Sequence, residues 1–155
     1  MIAAPTRVFL GCVAGAISVL IFHQTTLQIF FWLGLAPQAA FRVGHVPPFN
    51  MPMVLSITFW GAVYGGVFGL LMPRMRGPIW LNGLFLGLCA MLISWFVFLP
   101  LNGKPMAFAW HAWPMLRSCV AYGVWGLGVG MFLPMMHPRG IGAPRRPYVR
   151  SGLAI

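Results

Sequence analysis

Across 155 residues the sequence has no aspartate and no glutamate. That absence removes every reaction that needs the chain's own carboxylate: paired acid/base hydrolysis, Mg2+ or Ca2+ coordination by side-chain oxygens, and carboxylate proton relays. Charge of any kind is scarce, at 6% of residues, while 60% are hydrophobic. A soluble domain carries both signs of charge on its surface, so this composition belongs to a chain whose solvent penalises charge, which is lipid. Cysteine is scarce as well. Cys12, Cys89 and Cys119 form no CxxC or Cys/His ligand pattern and read as small packing residues. With no Walker loop, dinucleotide fingerprint or Ser/His/Asp set, the reading is of a protein that is not an enzyme, with no catalytic residue, metal or cofactor beyond bound phospholipid.

What is present is apolar sequence in runs of membrane-spanning length. A helix needs about 20 apolar residues to cross the hydrocarbon core. Four such runs occur: Val8 to about Thr26, Pro52 to Pro73, Pro78 to Leu99, and Pro114 to about Pro134. The middle two hold no ionisable side chain, the first carries His23 and the fourth Arg117, each near one end. Trp80 to Leu99 lacks the charged face that a soluble amphipathic helix would show. The fold class is therefore an all-α integral membrane protein with four transmembrane helices over residues 1–136 and a basic tail over 137–155. Residues 27–51 form an outer loop, of which Leu27 to Ala36 is apolar but too short to span, suiting an interfacial helix or a continuation of the first helix.

Ten basic residues orient the spans. Arg7, Arg74, Arg76, Arg139, Arg145, Arg146 and Arg150 fall on one side, and Arg42, Lys104 and Arg117 on the other. Basic residues accumulate on the cytoplasmic side, so both termini are expected there. The same excess beside membrane spans points to anionic lipid headgroups rather than nucleic acid. Arg7 ahead of an apolar run resembles a secretory signal, but a Gly11/Gly15 packing face and recurrence of the segment later in the chain argue for a retained helix. Arg139, Arg145, Arg146 and Arg150, in a Pro/Gly/Arg-rich tail that cannot build a core, suit a strap against anionic lipid or an acidic partner surface.

The chain also repeats itself. Phe9 to Ser18 matches Phe85 to Ser94 at six of ten positions with an offset of 76, extended by Phe22 with Phe98. Pro52, Met53, Ser56, Gly61, Gly66 and Leu71 align with Pro114, Met115, Ser118, Gly123, Gly128 and Leu133 at an offset of 62. The pattern is a tandem duplicated helical hairpin whose copies share an orientation. Glycines recur four residues apart on each span: Gly11 and Gly15; Gly61, Gly65 and Gly69; Gly83 and Gly87; Gly126 and Gly130. Such pairs let another backbone approach closely, so a tight bundle without a wide aqueous pore is expected.

Few residues could carry chemistry. His23, with Gln24, Thr25 and Thr26 beside it, is the candidate for a haem or quinone contact. His45, His111 and His137 fall in loops or the tail, so no second histidine matches its depth. Arg117 lies about one turn inside the fourth span with no acidic side chain in the chain to neutralise it, which points to a lipid phosphate reached by snorkelling, to exposed backbone carbonyls, or to an acidic residue of another subunit. The eleven methionines gather near span ends without regular ligand spacing and read as packing and lipid contacts.

Phe22-His-Gln24, Val46-Pro-Pro-Phe49 and Ser56-Ile-Thr-Phe-Trp-Gly61 resemble segments of small four-span bacterial inner-membrane proteins. The resemblance implies the topology and a bacterial setting, and carries over no functional residue. Three functions remain in view. The first is an accessory subunit of a larger membrane complex, whose glycine faces, basic tail and Arg117 meet partner subunits and lipid. The second is a small transporter or channel for an anion or neutral solute, acting as an oligomer. The third is a quinone- or haem-linked redox component using His23.

Overall fold

The computed structural model describes residues 3–46 and 50–136. It is mostly helical, with four helices long and apolar enough to cross a membrane: α1 (Ala4–Trp32), α2 (Met53–Arg74), α3 (Ile79–Leu101) and α4 (Ala112–Met136). Each start is marked by proline or extended backbone. Pro5 opens α1, where its missing N–H leaves no bond unmade, and Pro78 stands extended before α3. Among the described residues the extended pairing is two residues long on each side, β1 (His45–Val46) antiparallel to β2 (Met51–Pro52). The tail beyond Met136, with its four arginines, lies outside the described residues.

Two helix ends differ from expectation, both through a π-turn. Val19–His23 in α1 and Ser94–Phe98 in α3 are π-helical, starting 75 residues apart, close to the offset of the sequence repeat. Pro100 follows the second π-turn directly and does not end α3, which runs on to Leu101. The wider turn gives its ring the room that an α-turn denies. Likewise α1 continues to Trp32, so the apolar residues after Thr26 extend that helix rather than forming a separate one.

Glycine decides the packing. A β-carbon on Gly11, Gly15 or Gly69 would overlap backbone of Gly65, Gly61 or Arg7, so α1 and α2 touch main chain to main chain. The second hairpin repeats the device: Gly83 and Gly87 meet Gly126 and Tyr122, and Gly130 meets Ile79 and Trp80. In both hairpins these contacts lie toward the end that carries Ala4, Met136 and the 72–78 turn, called the terminal end; the opposite end is the loop end. The hairpins meet mainly through α1 and α4, where Phe22 lies over Gly128 and beside Phe132. The core between them is Ala14, Val19, Phe68, Ala90, Trp125, Val129 and Leu133.

The outer surface is apolar. Phe9, Leu55, Phe85, Leu116, Met131 and Met135 are each more than half exposed. No helix turns a charged face outward, the inverse of a water-soluble bundle.

Candidate functional site

Toward the loop end the glycine contacts give way to large rings, and the helices can no longer touch along their backbones. Trp60 of α2, Trp95 and Phe98 of α3, and Tyr122 and Trp125 of α4 stand here. Between them lies a half-open cavity of about 310 Å³ walled by all four helices. Its lining on α2 runs from Met53 to Tyr64 and on α4 from Pro114 to Trp125. Eleven residues of helix correspond to a depth of about 16 Å. Val19, Tyr64, Ala90 and Trp125 form its deep end, and the glycine-packed half of the bundle lies beyond them.

Polar groups converge on this space from separate helices. His23 is 7% exposed and stands edge-on to Tyr122, ring centroids 5.3 Å apart. It makes that ring contact and no hydrogen bond; its Nδ1 is buried without a partner. Tyr122 and Ser94 also line the cavity. Ser118 Oγ accepts from Trp95 Nε1 at 3.0 Å, and Ser56 is buried in the same wall. Two cations, Lys104 and Arg117, line the mouth, and the chain supplies no carboxylate to oppose them.

The mouth is built from the two loops. Arg117 Nη1 and Trp113 Nε1 both donate to the carbonyl of Leu35, at 3.0 and 3.1 Å. Gln24 and Gln28 of α1 accept from the backbone N–H of Phe41 and Ala40, at 2.9 and 3.0 Å. The first loop is thereby strapped to α1 and α4. The second contains four consecutive left-handed residues, Ala107, Phe108, Ala109 and Trp110. Ala107 is fully buried against Met91 and Trp95, and Phe108 reaches the cavity.

The sequence-derived candidates fall into three groups. His23 was expected near a helix end but sits inside continuous α1, in the cavity wall, because the helix runs nine residues past it to Trp32. Arg117 has a partner within the chain, the Leu35 carbonyl. The paired glycines are occupied by contacts within each hairpin. Ser56, Tyr64, Ser94, Ser118 and Tyr122 were not singled out as site residues, because each is an ordinary residue on its own helix, nor was Lys104, which lies in the second loop. The available signal was the repeat, which aligns Ser56 with Ser118 and Ser18 with Ser94. Three of those four serines line the cavity, and Ser18 is buried behind it.

The arrangement can hold a small solute by apolar and ring contacts, with hydrogen-bonding groups in the wall and positive charge at the entrance. Among the described residues no cluster of three histidine or cysteine side chains is placed to hold a metal ion. No family model, curated protein or solved structure matches this chain.

Proposed function

We propose that this chain is a multi-pass protein of the bacterial cytoplasmic membrane, with both termini cytoplasmic, that binds and carries a small anionic or neutral solute through its loop-end pocket. The observation behind this reading is the pocket itself: four helices contribute to one cavity, its polar side chains come from different helices, and its entrance is cationic. A purely structural membrane subunit gains nothing from leaving such space unfilled, since voids forfeit packing energy. The pocket does not extend through the glycine-packed half, so transport requires rearrangement of the two hairpins rather than a static pore. Their limited contact, mainly α1 against α4, favours such movement.

The accessory-subunit reading drew on free glycine faces and an unanswered Arg117. Those glycines pack inside the chain and Arg117 bonds Leu35, so its remaining support is the basic tail and the apolar exterior. The redox reading has His23 alone, since His45 and His111 do not line the pocket.

The test is solute uptake into proteoliposomes, using a panel of labelled small organic acids, amino acids and sugars. Carriage predicts protein-dependent uptake of at least one compound, lost in Trp60→Ala, which changes the pocket wall. Uptake indistinguishable from empty liposomes across the panel, together with a stable partner protein in native-membrane purifications, would reverse the order of the first two readings.

A further inference from the structure

We propose that the pocket is built for a hydroxyaryl carboxylate, a flat ring with a hydroxyl at one end and a carboxylate at the other, lying along α4 with its acid group at the mouth. The proposal rests on the reading of the cavity as a solute site and names the solute's class.

About halfway down, the wall asks for a hydrogen-bonding group. His23 is more than nine-tenths buried, forms the wall, and makes no hydrogen bond. A buried imidazole left wholly unpaired in a folded chain needs an explanation, and a ligand is one that the adjoining cavity supplies. The neutral ring offers one donor and one acceptor, and a hydroxyl can serve either.

The middle asks for a flat apolar body. Trp60, Tyr64, Phe98, Tyr122 and Trp125 surround the space with ring faces and edges, and aromatic surfaces pair best with another ring in offset or edge-on contact.

The mouth asks for an anion. Lys104 and Arg117 both reach it, and the chain has no acidic side chain that could neutralise either. Arg117 gives one Nη1 bond to Leu35, and its remaining N–H groups are enough to grip a carboxylate. Spacing sets the size. Arg117 and Tyr122, whose ring abuts His23, are five residues apart on α4, or about 7.5 Å along the axis. One benzene ring bridges that separation, from the guanidinium at the mouth to the imidazole.

The experiment is equilibrium binding to the full chain in lipid nanodiscs, followed by intrinsic tryptophan fluorescence, with 4-hydroxybenzoate, benzoate and 4-hydroxybenzamide as probes. The expected result is binding of 4-hydroxybenzoate, with each analogue at least about tenfold weaker because one end of the pocket is left unmatched. His23→Phe should erase the preference over benzoate while keeping the preference over the amide. The Lys104→Gln/Arg117→Gln double variant should do the reverse. A misfolded variant would lose both preferences together, so the crossed pattern separates recognition from folding. Equal affinity of wild type for all three probes overturns the proposal, as does a co-purified phospholipid that 4-hydroxybenzoate cannot displace. If the aryl acids fail to bind but another solute of the uptake panel is carried, the ligand class is wrong and the pocket reading stands. If nothing binds or is carried, both fall.

Discussion

The indole Nε1 of Trp125 donates to the carbonyl of Gly15 at 3.1 Å, joining the last helix to the first across 110 residues of sequence. The acceptor sits just before the π-turn of α1, where the Val19 N–H is shared between the carbonyls of Gly15 and Ala16. The Gly15 oxygen therefore has capacity left for the indole. This bond crosses between the two hairpins inside the bundle, beside the His23–Tyr122 ring contact and apolar contacts such as Phe22 on Gly128. Trp125→Phe keeps a ring in place and removes the donor. It should lower the stability of the folded bundle by about 1 kcal/mol, the scale of an interhelical hydrogen bond in a membrane. An unchanged midpoint in an SDS-unfolding titration would mean that the bond contributes nothing.

Gly65 and Gly123 are both helical glycines, yet their surroundings predict opposite results. A β-carbon at Gly65 would overlap the carbonyl of Gly11 and crowd the Cα of Gly15, both backbone atoms that move only if α1 moves. At Gly123 the nearest atom is Leu84 Cδ1 at 3.5 Å, an ordinary contact with a flexible side chain. Gly65→Ala should cost about 2 kcal/mol or more as the helices part. Gly123→Ala should be neutral or stabilising by up to about 1 kcal/mol, because alanine is the better helix former. Thermal unfolding of the two variants in the same detergent gives the comparison directly.

That contrast also marks what the sequence could and could not show. Helix number and the glycine contacts were legible, because apolar length and a four-residue spacing are local properties of the chain. The repeat was legible too, and the π-turns fall near equivalent positions in its two copies. It is not exact: α1 packs on Gly61 and Gly65, but α3 packs on Gly126 and Gly130, about one turn beyond the aligned Gly123. The pocket was not legible. Its polar residues are spread one to three to a helix, so no single span looks polar. Their convergence depends on where close packing stops, and large rings at the loop end end the backbone contact that glycines maintain at the other. His23 was misplaced because the first span was expected to end near Thr26, whereas α1 continues through its π-turn to Trp32.

Charge predicts an orientation for the bundle that can be tested independently of function. Arg7, Arg74 and Arg76 lie at the terminal end, and Arg42, Lys104 and Arg117 at the loop end, with the tail arginines adding to the former in sequence. With Cys12, Cys89 and Cys119 replaced by alanine, a cysteine at position 75 should resist a membrane-impermeant maleimide added to intact cells, and one at position 105 should react. Labelling at 75 with protection at 105 would invert the topology, turning the pocket mouth toward the cytoplasm.

The left-handed turn before α4 provides a test in which the sign of the effect is informative. Ala107, Phe108, Ala109 and Trp110 have φ of 46°, 57°, 53° and 61°, a conformation that costs an L-residue about 1–2 kcal/mol each and costs glycine almost nothing. Ala109 is exposed, so Ala109→Gly removes no buried contact. Relief of the left-handed penalty should exceed the added unfolded-state entropy of glycine, about 0.5–1 kcal/mol, leaving the variant more stable by up to about 1 kcal/mol. Ala107 shares the conformation but is fully buried against Met91 and Trp95, so Ala107→Gly loses a packed methyl and should gain less than Ala109→Gly or lose stability. Thermal unfolding of both variants decides the matter. If Ala109→Gly is destabilising while Ala107→Gly is neutral, position 109 does not hold a left-handed conformation in the folded protein, and the turn that carries Phe108 to the pocket is formed differently.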